Sequence, residues 1–456
     1  MTAEAGLPAP RRYAAIAAIS LGTILTTVDG SIVNVALPTL ARELHVQASS
    51  AVLVVTVYQL VMMIALLPLS ALSQRLGQRA TYQYGQMLFL VATLLCFFAK
   101  SLPVLVLLRG LQALGAAAAM SVVAALIRAI YSPSQLGRGL SFNTVIATTA
   151  ASAAPIIGGA VLSVARWPWL FAIVIPFGLL SIAIGRRTLP EGGGRKAPYD
   201  LLGALLSAVM FGLLVSGLEM GVHGDAPLIA AALLTLGLAV GIGFVRWERR
   251  QANPVLPIDL LQLRTIALPC LGSLFGYVAM MMLNVALPFR LQQQFHFSPA
   301  AAGAALAPIP MMMMVVAPVA GLLSDRIPAS LLGAIGMVIG ALGLGSLALL
   351  PNAPGAFDVM WRVAVCGLGF GMYFPPNARQ VVGAAPIARA AAAGALYSTI
   401  RGVGQTLGAT TVAALLALGV GTGAAPSLIA AALALIAVLC SLLVLRTSAP
   451  TPVRPE

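Results

Sequence analysis

The sequence predicts an all-α membrane protein of fourteen transmembrane helices, built as two six-helix bundles with two helices inserted between them. Three observations carry this. First, 60% of the 456 residues are hydrophobic and 8% are charged, with a mean hydropathy of +0.99. Twenty-six Lys and Arg with twelve Asp and Glu cannot solvate a globular surface of this size, so a soluble enzyme is excluded. Second, the apolar residues fall in stretches of about 18 to 25, the length a helix needs to cross a bilayer. Third, parts of the chain repeat at a fixed offset.

The spans follow in order at 13–38, 50–72, 80–99, 103–127, 140–165, 168–185, 201–221, 227–245, 265–288, 299–323, 329–350, 359–378, 390–418 and 427–445. The first follows Arg11 and Arg12 as a signal peptide would. It lacks a small-residue cleavage site and continues through Asp29, so it is read as an uncleaved span. With the N-terminus in the cytoplasm, Lys and Arg divide as 19 inside, 4 outside (Arg42, Lys100, Arg166, Arg290) and 3 within spans. An even number of spans returns Arg446, Arg454 and the C-terminus to the cytoplasm. A count wrong by one helix would scramble this alternation. The net charge of +14 therefore reads as topology. The basic residues are scattered rather than gathered on one face, and no nucleic-acid partner is expected.

Asn34-Val35-Ala36-Leu37-Pro38 recurs as Asn284-Val285-Ala286-Leu287-Pro288, 250 residues on. Leu72-Ser73-Gln74-Arg75 recurs as Leu323-Ser324-Asp325-Arg326, 251 residues on. Two matches at offsets one residue apart predict parallel halves, 1–187 and 265–456, with spans seven and eight and their linkers over 188–264 between them. Cys96, Cys270, Cys366 and Cys440 lie far apart in apolar segments without a C-x-x-C spacing, as inert packing residues do.

Several motifs occur in a fixed order. Asp29-Gly30-Ser31-Ile32-Val33-Asn34-Val35-Ala36-Leu37-Pro38 resembles L-D-x-T-I-V-N-V-A-L-P, and 70–79, with Gln74, Arg75, Gly77 and Arg79, resembles G-x-L-A-D-R-x-G-R-R. Arg109 to Gly115, including Gln112, resembles R-x-x-Q-G-x-G with Ala113 in place of Gly. Residues 150–159 resemble G-x-x-x-G-P-x-x-G-G, keeping Pro155, Gly158 and Gly159 but carrying Ala150 and Ala154. Trp167 to Pro176 resembles W-R-W-x-F-x-I-N-x-P, and Tyr199-Asp200-Leu201-Leu202-Gly203 and Arg401-Gly402-Val403-Gly404 stand where matching motifs stand in the same group of proteins. Over nearly its whole length the chain thus resembles the major facilitator superfamily, specifically its drug:proton antiporter family with fourteen spans. The resemblance implies multidrug efflux across the cytoplasmic membrane, with Asp29 as the functional acid. It also implies an inner gate at the loop of Gln74, Arg75, Gly77 and Arg79. There Gln74 replaces the usual Asp and weakens the latch, and Asp325 and Arg326 of the second copy take some of its role. The bland alternative is a turn whose Arg residues only set topology.

An ionised carboxylate at mid-helix costs several kcal/mol in hydrocarbon and survives in a polar cavity or when protonated. Asp29 is such an acid, and its counterpart in the second half is Ala279. At about 1.5 Å per residue, Asp29 lies roughly 13 Å below Pro38 and Arg109 roughly 9 Å below Pro103. Arg109 is therefore expected as its partner, the alternative being an Arg satisfied by backbone carbonyls. Alternation between the ion pair and a protonated Asp29 supplies the two-state bias that antiport needs. Tyr58, Gln59, Gln112, Asn143, Tyr397, Arg401 and Gln405 are candidate cavity residues, although interhelical hydrogen bonds explain the uncharged ones equally well. Arg401 either neutralises an anionic group of a substrate or satisfies backbone in a Gly-rich helix. Arg362 is expected to snorkel outward, and Glu219 to reach interfacial water, with cation binding as the lesser alternative. Met280 to Met282 and Met311 to Met314 are read as core filling ahead of a soft ligand wall.

Neither a P-loop nor a His/Cys/carboxylate cluster occurs in the sequence, which argues against ATP hydrolysis and metalloenzyme chemistry. No cofactor is expected. The expected partners are protons, the lipid bilayer and a hydrophobic or amphiphilic, cationic small molecule. A periplasmic adaptor is a further candidate, for which the short outer loops leave little surface. Export of one endogenous metabolite is the rival reading, and a non-transporting membrane sensor of the same fold a more distant one.

Overall fold

The computed structural model describes residues 7–132, 135–191, 200–223, 226–251, 258–324, 326–386 and 389–447, and these are helical without a strand. Helix is forced on such a chain because hydrocarbon offers a backbone N–H or C=O no partner outside its own segment. The long helices are α1 (Ala9–Glu43), α2 (Leu53–Leu76), α3 (Gln78–Phe97), α4 (Leu102–Ile130) and α5 (Leu136–Val164). They continue with α6 (Trp169–Thr188, broken after Ala172), α7 (Leu201–His223), α8 (Pro227–Glu248), α9 (Arg264–Phe289) and α10 (Pro299–Leu323, broken at Ala307). The last four are α11 (Ala329–Ala348), α12 (Ala356–Gly383), α13 (Ala390–Ala417) and α14 (Ala425–Thr447).

Twelve helices among the described residues are long and apolar enough to span a membrane. The two that fall outside this set, α12 and α13, are 28 residues each and carry the polar groups Asp358, Arg362, Asn377, Arg379, Arg401 and Gln405. By this measure the multi-pass architecture holds with about twelve spans, against the fourteen expected.

Two boundary expectations are corrected. Spans one and nine were placed to end at Pro38 and Pro288, yet α1 runs to Glu43 and α9 passes Pro288 into a further turn, Arg290–Gln294. Proline is tolerated inside membrane helices because neighbouring helices satisfy the carbonyl it frees. Conversely, the uninterrupted spans expected at 168–185 and 299–323 are each broken, just ahead of Pro176 and Pro308, where the missing N–H removes a helical hydrogen bond.

Helices α1 to α6 pack chiefly on one another, as do α9 to α14. Contact between these groups runs through α5 against α10, α2 against α13, and α1 against α9, while the α7–α8 hairpin lies to one side with α7 resting on both α2 and α13. The close crossings are made by glycine. A Cβ on Gly303 of α10 would stand 2.1 Å from the Pro155 carbonyl oxygen, and one on Gly159 of α5 would stand 2.7 Å from that of Pro299. Ala150 and Ala154, where the motif has glycine, are 7% and 0% exposed and fit without a break in α5.

Candidate functional site

Arg109 lies about two turns into α4 with its guanidinium fully packed. Nη1 donates to Asp29 Oδ2 at 2.6 Å and to Gln112 Oε1 at 2.6 Å, and Nε donates to the Val54 carbonyl at 3.3 Å. Gln112 follows Arg109 by three residues and so shares its helix face. Its amide donates to Asp29 Oδ1 and to Thr93 Oγ1, both at 2.8 Å. The Tyr58 ring covers the guanidinium at 4.1 Å. The local sequence permits this: a Cβ on Gly115 would stand 2.5 Å from the Phe89 backbone nitrogen, so α3 can bring Thr93 against α4 only over a glycine. Asp29 and Arg109 are 0% and 1% exposed. Breaking such a pair from one side costs about 3–5 kcal/mol, because it strands the other charge.

Beside this network is a cavity of about 260 Å³ lined from α1, α2, α5, α9, α10 and α13. Its polar wall is Ser31, Asn34, Gln59, Thr148, Asn284 and Gln405, and Met280, Met281 and Met313 supply much of the apolar wall. The lining follows the internal repeat: positions 30 and 280, 31 and 281, 34 and 284, 59 and 309, and 155 and 405 all face it at the offset of 250. Asn34 Oδ1 is buried with no hydrogen-bond partner among the described residues. The Asn34/Asn284 pair was missed as lining, although the repeated pentapeptide marked both.

Of the expected cavity residues, Gln59 and Gln405 line it. Four do not. Gln112 is 0% exposed because the buried Asp29 carboxylate takes its amide. Tyr58 touches both Arg109 and the wall residue Gly30, whose added Cβ would stand 3.7 Å from its ring, and so lies between cavity and ion pair. Asn143 accepts from Thr23 Oγ1 at 2.8 Å, between α5 and α1. Tyr397 donates to the Phe374 carbonyl at 3.2 Å, within an aromatic cluster with Tyr277. Arg401 is exposed, one helical turn from Gln405 on α13, and lies within electrostatic reach of the Tyr277 phenol. The acid expected to face the cavity is thus sealed behind Tyr58 in this conformation. The methionines divide: Met280, Met281 and Met313 face the cavity, whereas Met282 is core.

The expected gating residues occupy two ends. Gly77 joins α2 to α3 at φ +87°, a conformation that favours glycine. Arg79 ties this turn to the end of α6, with Nη1 2.6 Å from Glu191 Oε1 and Nη2 on the Arg186 carbonyl. Arg75 and Arg326 are exposed, while Asp325 and the Gln74 side chain lie outside the described residues. Pro155, Gly158 and Gly159 sit at the opposite end, where α5 meets α1 and α10 and where Gln292 Nε2 of the turn after α9 donates to the Val35 carbonyl at 2.9 Å. Arg362 does not extend freely outward; Nη1 bonds the Asp358 carbonyl at 2.6 Å and the group stacks on Trp361. Glu219 does not reach interfacial water. It is 8% exposed, and Thr410 Oγ1 donates to its Oε1 at 2.8 Å.

The chain is 40% identical over 437 residues to "Uncharacterized transporter YebQ" of Escherichia coli (strain K12), covering 95% of this chain and 96% of that protein. It is 26% identical to "Riboflavin transporter RibZ" of Clostridioides difficile, covering 87% of both. It is 27% identical to "Multidrug export protein EmrB" of Haemophilus influenzae, covering 86% of this chain and 78% of that one. The fold resembles the crystal structure of a POT family transporter in complex with 5-aminolevulinic acid, with a TM-score of 0.73, 16% identity and 95% coverage of each chain. The Major Facilitator Superfamily profile matches residues 19–409 and 269–456. An all-helical multi-pass chain with a cavity between its internally repeated parts, transporter relatives over nearly its full length and that profile match together make it a member of the Major Facilitator Superfamily.

Proposed function

We propose that this transporter is a proton-coupled exporter of hydrophobic or amphiphilic, cationic compounds in a bacterial cytoplasmic membrane. It belongs on this reading to the drug:proton antiporter branch, with α12 and α13 completing fourteen spans and both termini in the cytoplasm. Residues 1–187 and 265–456 are the two six-helix bundles, and 188–264 carries the inserted hairpin. The relatives that export drugs support the substrate class, and the 19-to-4 division of Lys and Arg supports the orientation.

The observation that carries the reading is the buried Asp29–Arg109 pair separated from the ligand cavity by one tyrosine ring. In this state the outer ends of the halves touch through Gly159, Gly303 and Gln292. This is the inward-facing, charge-paired state. Rocking of the halves moves α1 and α2, displaces Tyr58 and lets water reach Asp29. Protonation then releases Arg109 to its remaining partners, Gln112 and the Val54 carbonyl. The Arg75–Arg79 turn latches the inner face in the opposite state.

The test is efflux of a fluorescent lipophilic cation from cells carrying wild type or Asp29→Asn, with and without a proton uncoupler. Wild type extrudes the dye, and the uncoupler or the substitution abolishes extrusion. Extrusion that persists through both removes proton coupling from the reading.

Arg401 favours a second reading, export of an endogenous metabolite bearing an acidic group. It is exposed beside the cavity residue Gln405, and no Asp or Glu is in the cavity wall among the described residues. Dye efflux that fails, with transport of an anion lost in Arg401→Gln, selects this alternative.

A further inference from the structure

The central cavity has more hydrogen-bonding capacity than the protein itself uses. Gln59 of α2, Asn284 of α9 and Gln405 of α13 line it and are half-buried. Their amides neither bond to another described residue nor are sealed from solvent. These three carboxamides come from both halves of the molecule. Gly402 of α13 rests on Met63 of α2, where an added Cβ would stand 2.7 Å from Met63 Cγ. That contact sets Gln405 and Gln59, each about one turn away on its helix, on either side of the seam, and Asn284 adds a third amide from α9. Among the described residues the wall carries no Asp, Glu, Lys or Arg, and Met280, Met281 and Met313 give it soft, polarizable apolar surface.

We propose that the cavity holds its cargo by an amide edge, the adjacent N–H and C=O of a lactam, imide or primary carboxamide, which Gln59, Asn284 and Gln405 read. This rests on the export reading for the cavity's role as the cargo site, and it names the group by which that cargo is held. A carboxamide carries a C=O acceptor and an NH2 donor in one plane. It therefore meets an amide edge with two parallel hydrogen bonds, as Asn and Gln meet the donor and acceptor of adenine. Other ligand heads satisfy half of each side chain or none of it. An ammonium only donates and leaves the NH2 groups unpaired, whereas a carboxylate only accepts and leaves the C=O groups unpaired. A hydrocarbon strips water from all three amides and returns no bond. With no charged side chain in the described wall, neither ion gains a counter-charge in exchange. The edge is selected whatever charge the rest of the molecule carries. The methionine thioethers favour a flat ring behind it. The volume of about 260 Å³ is just under the usual small-molecule range of roughly 300–1,000 Å³ and suits a compact one.

The test is titration of naphthalimide, a flat, uncharged, fluorescent imide, into the full-length protein in phosphatidylcholine nanodiscs, with empty nanodiscs as the blank. N-methylnaphthalimide is run beside it and differs in having a methyl group in place of the imide hydrogen. A saturable class of sites is expected for naphthalimide, with the methylated imide at least about tenfold weaker, since a site that bonds a group rejects the analogue lacking it. That preference should fall by at least about threefold in Asn284→Leu and in Gln405→Leu, each of which removes one reading amide. Size-exclusion profiles show whether each variant is folded, and if one is not, the other decides. A purely structural role would weaken both imides together and keep their ratio. The titration needs no proton gradient, so dye efflux that ignores Asp29→Asn and the uncoupler removes the export reading and leaves this result standing. Equal affinity for the two imides, with uncoupler-sensitive efflux intact, removes the amide edge alone. No saturable class in wild type, or an unchanged preference in a folded variant, likewise overturns the proposal.

Discussion

Gly303→Ala is expected to open the outer face. The new Cβ would stand 2.1 Å from the Pro155 carbonyl oxygen and 3.2 Å from the Gly159 Cα. Both obstacles are backbone, so no rotamer change relieves them. Carbon and carbonyl oxygen rest no closer than about 3.3 Å, and α5 and α10 must therefore part by roughly 1 Å. Overpacking of this kind costs about 1–3 kcal/mol. The clash exists only while the outer seam is shut, so the whole cost falls on that state. The equilibrium between conformations then moves by roughly 5- to 150-fold toward the outward-open one. The assay uses Asn34→Cys as a reporter in the cavity wall; the four native cysteines are buried and supply little background. Labelling by a membrane-impermeant maleimide applied from outside should quicken several-fold when Gly303→Ala is added. Gly321→Ala on the same helix, where a Cβ meets nothing within 4 Å, should leave it unchanged. A Gly303→Ala protein with a lowered melting temperature and an unchanged labelling rate would show that this crossing is packing and not a gate.

Asp29→Asn strands Arg109 and should lower stability by about 3–5 kcal/mol; melting in detergent should show most of this recovered in Asp29→Asn/Arg109→Gln, and an additive double mutant would refute the pairing energetics. Asn284→Ala and Gln405→Ala, which remove cavity hydrogen-bonding groups, should each weaken substrate binding by about 0.5–1.5 kcal/mol, roughly 2- to 12-fold, with melting unchanged. Arg389 grips Asp259 through two bonds, one of 2.9 Å, and holds that carboxyl below its usual range. A carboxyl whose folded pKa is depressed stabilises the fold above the unfolded pKa and loses that contribution as pH falls through the folded one. The pair is exposed, so Asp259→Asn should cost no more than about 1 kcal/mol at pH 7. Melting scans should show the gap to wild type narrowing below about pH 4, and a gap that widens in acid contradicts the assignment.

How much of this was legible in the sequence depended on how local each relation is. The contact of Asp29 with Arg109 could be found because depth in a membrane helix is a linear count from the interface. The repeat was readable because N-V-A-L-P survived in both copies, and it carries the further information that residues at the shared offset face one cavity. Gln112 was misassigned to the cavity because the sequence gives its helix face but not which side of the face the carboxylate occupies. Glu219 was misread because its partner Thr410 is 191 residues away on a helix that reaches it only through packing of α7 across the seam. The ends at Pro38 and Pro288 failed for a physical reason: the rule that proline stops a helix belongs to water, where a freed carbonyl has an easier alternative than keeping helical geometry.

The two halves share a frame and differ in chemistry. At the position of Asp29 the second half has Ala279, and where the first half buries an ion pair under Tyr58 the second stacks Tyr277 on Phe374 at 4.0 Å, with Tyr373 and Tyr397 nearby. The buried Asp29–Arg109 charge network is thus confined to the half whose α1 and α2 border the cavity and whose α2 also carries the hairpin helix α7. A symmetric pair of acids would leave both halves equally sensitive to protonation and give the rocking motion no preferred driver. On the proposed export reading, confining that charge to one half would let protonation bias one bundle, with the aromatic half as its counterface. The cavity wall is drawn from repeat-related positions on both sides.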